Sequence, residues 1–69
     1  MYKNLKAELA RAGINDTQAA EMLEISRTTL CSRMTGKSSW KLSEMEKIQE
    51  ELAKKNIECS LDYLFEVRS

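Results

Sequence analysis

The sequence predicts an all-α domain of five short helices. Three observations carry that prediction: apolar residues recur at helical spacing, capping residues punctuate the chain, and no segment alternates as a strand would. The chain has 69 residues with two glycines and no proline. Its helix boundaries must therefore come from side-chain caps and from Gly13 and Gly36.

The first helix is expected over about residues 2–12, with Leu5, Leu9 and Ala12 on one face and Gly13 as the left-handed residue that ends it. Ile14 then folds back onto Leu9. Asn15 opens a second helix, with Gln18 three residues on as its capping-box partner, and this helix ends near Leu23. Ser26 caps a third helix over about residues 27–35, which Gly36 stops. A polar loop follows over residues 37–42. Ser43 with Glu46 is read as a second capping box, opening a fourth helix whose stripe is Met45, Ile48, Leu52 and Ala53. Asn56 and Ile57 end that helix, and Ser60 caps a short fifth one containing Leu61, Tyr63, Leu64 and Phe65.

A chain of this length buries only about 60% of its unfolded surface, which supports one core and one domain over residues 1–69. Cys31 and Cys59 form no CxxC pair, and there is no histidine. Reduced thiols are expected, with no zinc site and no cofactor. The absence of a histidine, a glycine-rich phosphate loop and a recognisable carboxylate pair argues against an enzyme. No apolar run approaches the roughly 18 residues of a membrane span, and the amino end lacks the blocks of a signal peptide. The expected setting is cytoplasmic.

Net charge is zero, with 11 basic and 11 acidic residues, which excludes binding to nucleic acid by bulk charge alone. The distribution is uneven. Residues 26–41 hold Arg27, Arg33, Lys37 and Lys41 with no acid, whereas residues 42–69 hold four basic and seven acidic groups. A solvated face and a polyanion-binding face are equally compatible with that stretch until local structure is considered.

Two helices joined by the three residues Glu24, Ile25 and Ser26 must cross closely, which requires a small residue on the first and an apolar one on the second. Ala20 and Leu30 meet that requirement. At about 100° per residue, Leu30 and Met34 share one side of the third helix, while Thr28 and Ser32 lie opposite, flanked by Thr29, Cys31 and Thr35. This outward face lacks long charged side chains. Short hydroxyls suit close entry into a DNA major groove. Arg27, Thr28, Cys31 and Ser32 are therefore the candidate base-reading residues. The candidates for the DNA backbone are Asn15, Thr17 and Gln18 at the amino end of the second helix, with Ser26, Thr29, Arg33, Thr35, Lys37 and Lys41 around the third.

Residues 14–37, INDTQAAEMLEISRTTLCSRMTGK, resemble the helix-turn-helix of the lambda-repressor and Cro family of phage-type regulators, the xenobiotic-response-element-like group. KNLKAELARAGI resembles that family's first helix and SLDYLF its closing helix, so nearly the whole chain is covered. The resemblance implies a lambda-repressor-like fold, sequence-specific binding to double-stranded DNA, and action as a phage or prophage repressor or a Cro-like regulator. Two positions depart from the pattern. Asp16 stands where the family usually has a backbone-contacting glutamine, and it is read as complementing the helix dipole. Glu24 stands where the family usually has a glycine, at a cost of roughly 1 kcal/mol for left-handed geometry.

Cys31 is read as a packing cysteine in preference to a redox switch. Trp40 and Tyr63 are read as packing side chains rather than base-stacking ones. Tyr63, Leu64, Phe65 and Val67 form an apolar end that closes the core and meets a second copy, so that a homodimer presents two reading helices about 34 Å apart. The competing function is a protein-interaction module or antitoxin-type adaptor on the same fold with weak or no DNA binding, motivated by Asp16, Glu24 and the balanced charge.

Overall fold

Four of the five helices close in the same way, and these closures set the path of the chain. In the computed structural model, which describes residues 2–66, α1 spans Lys3–Arg11, α2 Asp16–Leu23, α3 Arg27–Met34, α4 Leu42–Ala53 and α5 Leu61–Leu64. The residue just past each of α1 to α4 is left-handed: Gly13 (φ 74°), Glu24 (φ 58°), Gly36 (φ 86°) and Asn56 (φ 62°). The next N–H reaches back to a carbonyl five residues earlier: Ile14 to Leu9 at 2.9 Å, Ile25 to Ala20 at 3.0 Å, Lys37 to Ser32 at 2.9 Å and Ile57 to Leu52 at 3.0 Å. This is the Schellman closure. In three of the four an isoleucine is folded over an apolar residue, whereas α3 closes with Lys37 over Ser32.

Helix starts follow the sequence except at α4. Gln18 N–H donates to Asn15 Oδ1 at 2.8 Å and Asn15 N–H to Gln18 Oε1 at 3.0 Å, completing the capping box of α2. Ser26 Oγ accepts from Thr29 N–H and Ser60 Oγ from Tyr63 N–H, both at 3.1 Å. The fourth helix does not begin at Ser43. Lys41 is its cap, and Lys41 N–H donates to Glu44 Oε1 at 3.0 Å. A lysine ammonium has no acceptor to return that bond, so only half of a capping box forms. Along α4, Ile48 and Leu52 are buried, Met45 is half-buried, and Ala53 faces solvent.

The core has two parts. Leu5, Leu9, Ile48, Leu52, Ile57 and Leu64 form the larger, between α1, α4 and α5. Ala19, Ala20 and Leu30 form the smaller, where α2 crosses α3. Ile14, Leu23, Met34 and Trp40 pack against both, so α3 is continuous with the main core. Tyr2, Trp40 and Phe65 form an edge-on trio, with centroids 6.1 Å apart for Tyr2 with each partner and 5.2 Å for Trp40 with Phe65. Such arrangements satisfy the ring quadrupoles.

Polar ties fasten the ends. Buried Glu8 accepts from Tyr63 Oη at 2.9 Å and from Arg11 Nη1 at 3.2 Å. Asn4 Nδ2 donates to the Tyr63 carbonyl at 3.0 Å. The hydrogen bond to Glu8, reinforced by burial, raises the Tyr63 hydroxyl pKa above its usual range. Burial, with the Glu8 charge second, does the same for the Cys59 thiol. Among the described residues no helix is long and apolar enough to cross a membrane, and no three side chains gather as metal ligands.

Candidate nucleic-acid interface

The third helix is held at both ends. At its start, Ala20 and Leu30 are buried against each other's helices, and left-handed Glu24 carries the chain from α2 into Ile25 and Ser26. Ser26 Oγ and Thr29 Oγ1 share a hydrogen at 2.9 Å, so these two hydroxyls satisfy one another. At its end, Arg33 Nε donates to Glu44 Oε1 at 2.7 Å, with side chains only 11% and 9% exposed. That oxygen also takes the Lys41 N–H, so one carboxylate joins α3, the loop and α4.

This pair corrects the expectation for Arg33. A guanidinium buried against a carboxylate is turned away from solvent, and Arg33 does not join the outward face. The same packing rotates that face. Arg27, Thr28, Cys31 and Thr35 are exposed, whereas Thr29 and Ser32 are half-buried. The exposed stripe is thus centred on Thr28 and Cys31, because Arg33 turns to Glu44 and the loop after α3 folds back on Ser32, whose carbonyl accepts from the Lys37 and Ser38 N–H groups. Cys31, expected to pack, has its thiol exposed. Thr35 Oγ1 donates to the Cys31 carbonyl at 2.9 Å, which leaves only its lone pairs for a partner.

The amino end of α2 presents Asn15, Asp16, Thr17 and Gln18, all exposed. The capping box occupies the amides of Asn15 and Gln18. Those of Asp16 and Thr17 have no intrahelical partner, as the first turn of any helix requires. Asp16 occupies the first turn itself, where a carboxylate complements the dipole.

Folding also redistributes the charge. Arg11, Arg33, Lys47 and Lys54 are paired with glutamates. Among the described residues Lys3, Lys6, Arg27, Lys37 and Lys41 form no ion pair, nor does Lys55, which lies beyond α4. Lys3 and Lys6 line the same groove as Arg27 and Thr28, so α1 adds two cations beside the reading helix. The sequence carried a sign of this: neither lysine has an acid three or four residues away with which to pair along the helix.

A family model described as bacterial regulatory protein, Fis family, a helix-turn-helix, matches residues 3–35. That is 33 of 69 residues, running from the first residue of α1 through the cap of α3. The match falls on α1, α2 and α3, and α2, the turn through Glu24, Ile25 and Ser26, and α3 form a helix-turn-helix. The match supports DNA-binding transcription regulation in general, and the family matched is that of Fis, not that of the lambda repressors. No curated protein and no solved structure matches the chain.

The carboxy-terminal end of the helix-turn-helix domain differs from its expected docking role. Leu64 is fully buried in the main core and has no surface to offer a second copy. Phe65 is half-buried in the aromatic trio. Tyr63 is exposed over 40% of its surface, with its hydroxyl on Glu8. Val67 lies outside the described residues. Leu42, at 59% the most exposed large apolar side chain named on the surface, lies at the start of α4 instead.

Proposed function

We propose that the domain binds double-stranded DNA sequence-specifically and regulates transcription as a small phage-type repressor or Cro-like protein, with α3 in the major groove. The observation that carries this reading is the exposed stripe of Arg27, Thr28, Cys31 and Thr35 on a helix anchored at both ends, beside cations that have no partners in the fold. Arg27 reads a guanine edge; Thr28 and Cys31 contact neighbouring bases. Lys3, Lys6, Lys37, Lys41 and the open amides of Asp16 and Thr17 hold phosphates. A homodimer places two copies on half-sites one turn apart.

Random-site selection followed by fluorescence anisotropy tests this. About four lysine contacts per copy, eight in the homodimer, give a slope of log affinity against log salt near −7. Absence of binding to any selected or genomic duplex at low salt refutes the proposal. It favours the interaction-module reading, for which Asp16 on the α2 terminus is the supporting observation.

A further inference from the structure

Between α1 and α3 runs a groove of about 750 Å³, within the range of roughly 300–1,000 Å³ typical of small-molecule sites. Its floor is apolar and firm. Leu9 and Leu30 are buried core residues, with Ile14 and Met34 packed beside them. Both walls present residues three or four positions apart. Lys3, Lys6 and Ala10 on α1 are matched by Arg27, Cys31 and Thr35 on α3, so both helices run along the slot for about two turns, roughly 11 Å. The rim is cationic. Lys3, Lys6 and Arg27 have no ion-pair partner in the fold, against a single lining carboxylate, Asp16.

DNA phosphates match that rim but not an apolar floor, and a neutral hydrocarbon matches the floor but leaves the cations unanswered. We propose that the α1–α3 groove binds a small amphipathic organic anion, an apolar body bearing one carboxylate or sulfonate, and that its occupancy excludes DNA. The body lies over Leu9 and Met34 with the acid group among Lys3, Lys6 and Arg27. Exclusion follows because Arg27, Thr28 and Cys31 line the groove and form the reading face. This exclusion, unlike the binding itself, rests on the proposed role of α3. The domain then senses a metabolite on its own reading face.

The probe is anilinonaphthalene sulfonate, with decanoate and 1-decanol as competitors. Saturable one-to-one binding to the natively folded protein is expected, with amide NMR shifts gathered at Leu9, Ala10, Thr28 and Cys31. Decanoate displaces the probe at least about fivefold better than decanol. The double variant Lys3→Ala/Lys6→Ala weakens binding about fivefold, a size consistent with two exposed charges, without changing the melting curve. Non-saturable binding, equal displacement by decanol, an unaffected double variant, or shifts gathered around Trp40 and Phe65 overturn the site. With a selected duplex, decanoate lowers DNA affinity. Unchanged affinity at saturating decanoate overturns the exclusion. A wild-type protein that binds no DNA overturns the reading of α3 while leaving the probe result to decide the site.

Discussion

Glu24 is the one large side chain the fold holds in left-handed geometry next to the reading helix, at φ 58° and ψ 42°. Asn56 occupies the same region more cheaply, since asparagine is enriched there. Glu24 is tolerated because the closure it makes, Ile25 N–H on the Ala20 carbonyl, fixes the angle at which α3 leaves α2. Glu24→Gly relieves the strain but frees the unfolded chain. A net gain of about 0.5–1 kcal/mol is expected, raising Tm by about 3–6 °C, followed through the single tryptophan, Trp40. An unchanged or lower Tm shows that the glutamate side chain contributes what the geometry costs. Arg27 and Lys37 separate reading from holding. Arg27→Ala costs about 1–3 kcal/mol at particular bases of a selected site, whereas Lys37→Ala weakens all duplexes alike and flattens the salt slope by about one. Uniform loss in both variants contradicts these roles.

At the scale of elements, the decisive interaction is the Arg33–Glu44 pair between α3 and α4. Breaking a buried pair strands a charge, so Arg33→Ala and Glu44→Ala each cost about 3 kcal/mol or more, while Arg33→Met with Glu44→Leu costs less than either. A double-mutant cycle measures this, and additive losses show that the pair is not coupled. Because Arg33 faces Glu44, the double variant also leaves the DNA salt slope unchanged, unlike Lys37→Ala. This pair explains what the sequence could and could not tell. Asn15 with Gln18, Ser26, Ser60, Gly13 and Gly36 were legible because a cap or a left-handed closure is decided within five or six residues. The start of α4 was not, since Ser43/Glu46 and Lys41/Glu44 are both locally plausible, and Arg33, eleven residues before Glu44, selects the second. The outward face of α3 is centred differently from the helical-wheel expectation because a wheel shows what opposes Leu30, not which flank the following loop and Glu44 occupy. Lys3 and Lys6 joined the face only when α1 was set beside α3.

For the molecule as a whole, the extents of 29 × 26 × 20 Å are shorter than one DNA turn of about 34 Å, so in the proposed complex one copy covers a single half-site. The stability of so small a body depends on how its ends are tied, and Tyr63 on Glu8 joins α5 to α1 across 55 residues of sequence. That tie is sensitive to alkali. The hydrogen bond to Glu8, with burial, raises the Tyr63 pKa in the folded state above its usual value near 10. The unfolded chain releases this proton first, so the contribution is fully present below about pH 10 and disappears as pH rises through the raised folded value. The raised Cys59 pKa acts in the same direction from about pH 9. Melting from pH 7 to 11 is expected to show Tm falling on the alkaline side. Tyr63→Phe melts lower at pH 7, having lost the bond, but its Tm falls less steeply above pH 10. The residual decline in that variant belongs to Cys59 and, toward pH 11, to Lys54, whose hydrogen bond to Glu51 raises its pKa, and Cys59→Ser lessens it. Parallel alkaline limbs for wild type and Tyr63→Phe show that the hydroxyl does not hold Glu8 in solution, and that α1 and α5 are joined by the Leu5, Leu9 and Leu64 contacts and the Asn4 bond to the Tyr63 carbonyl.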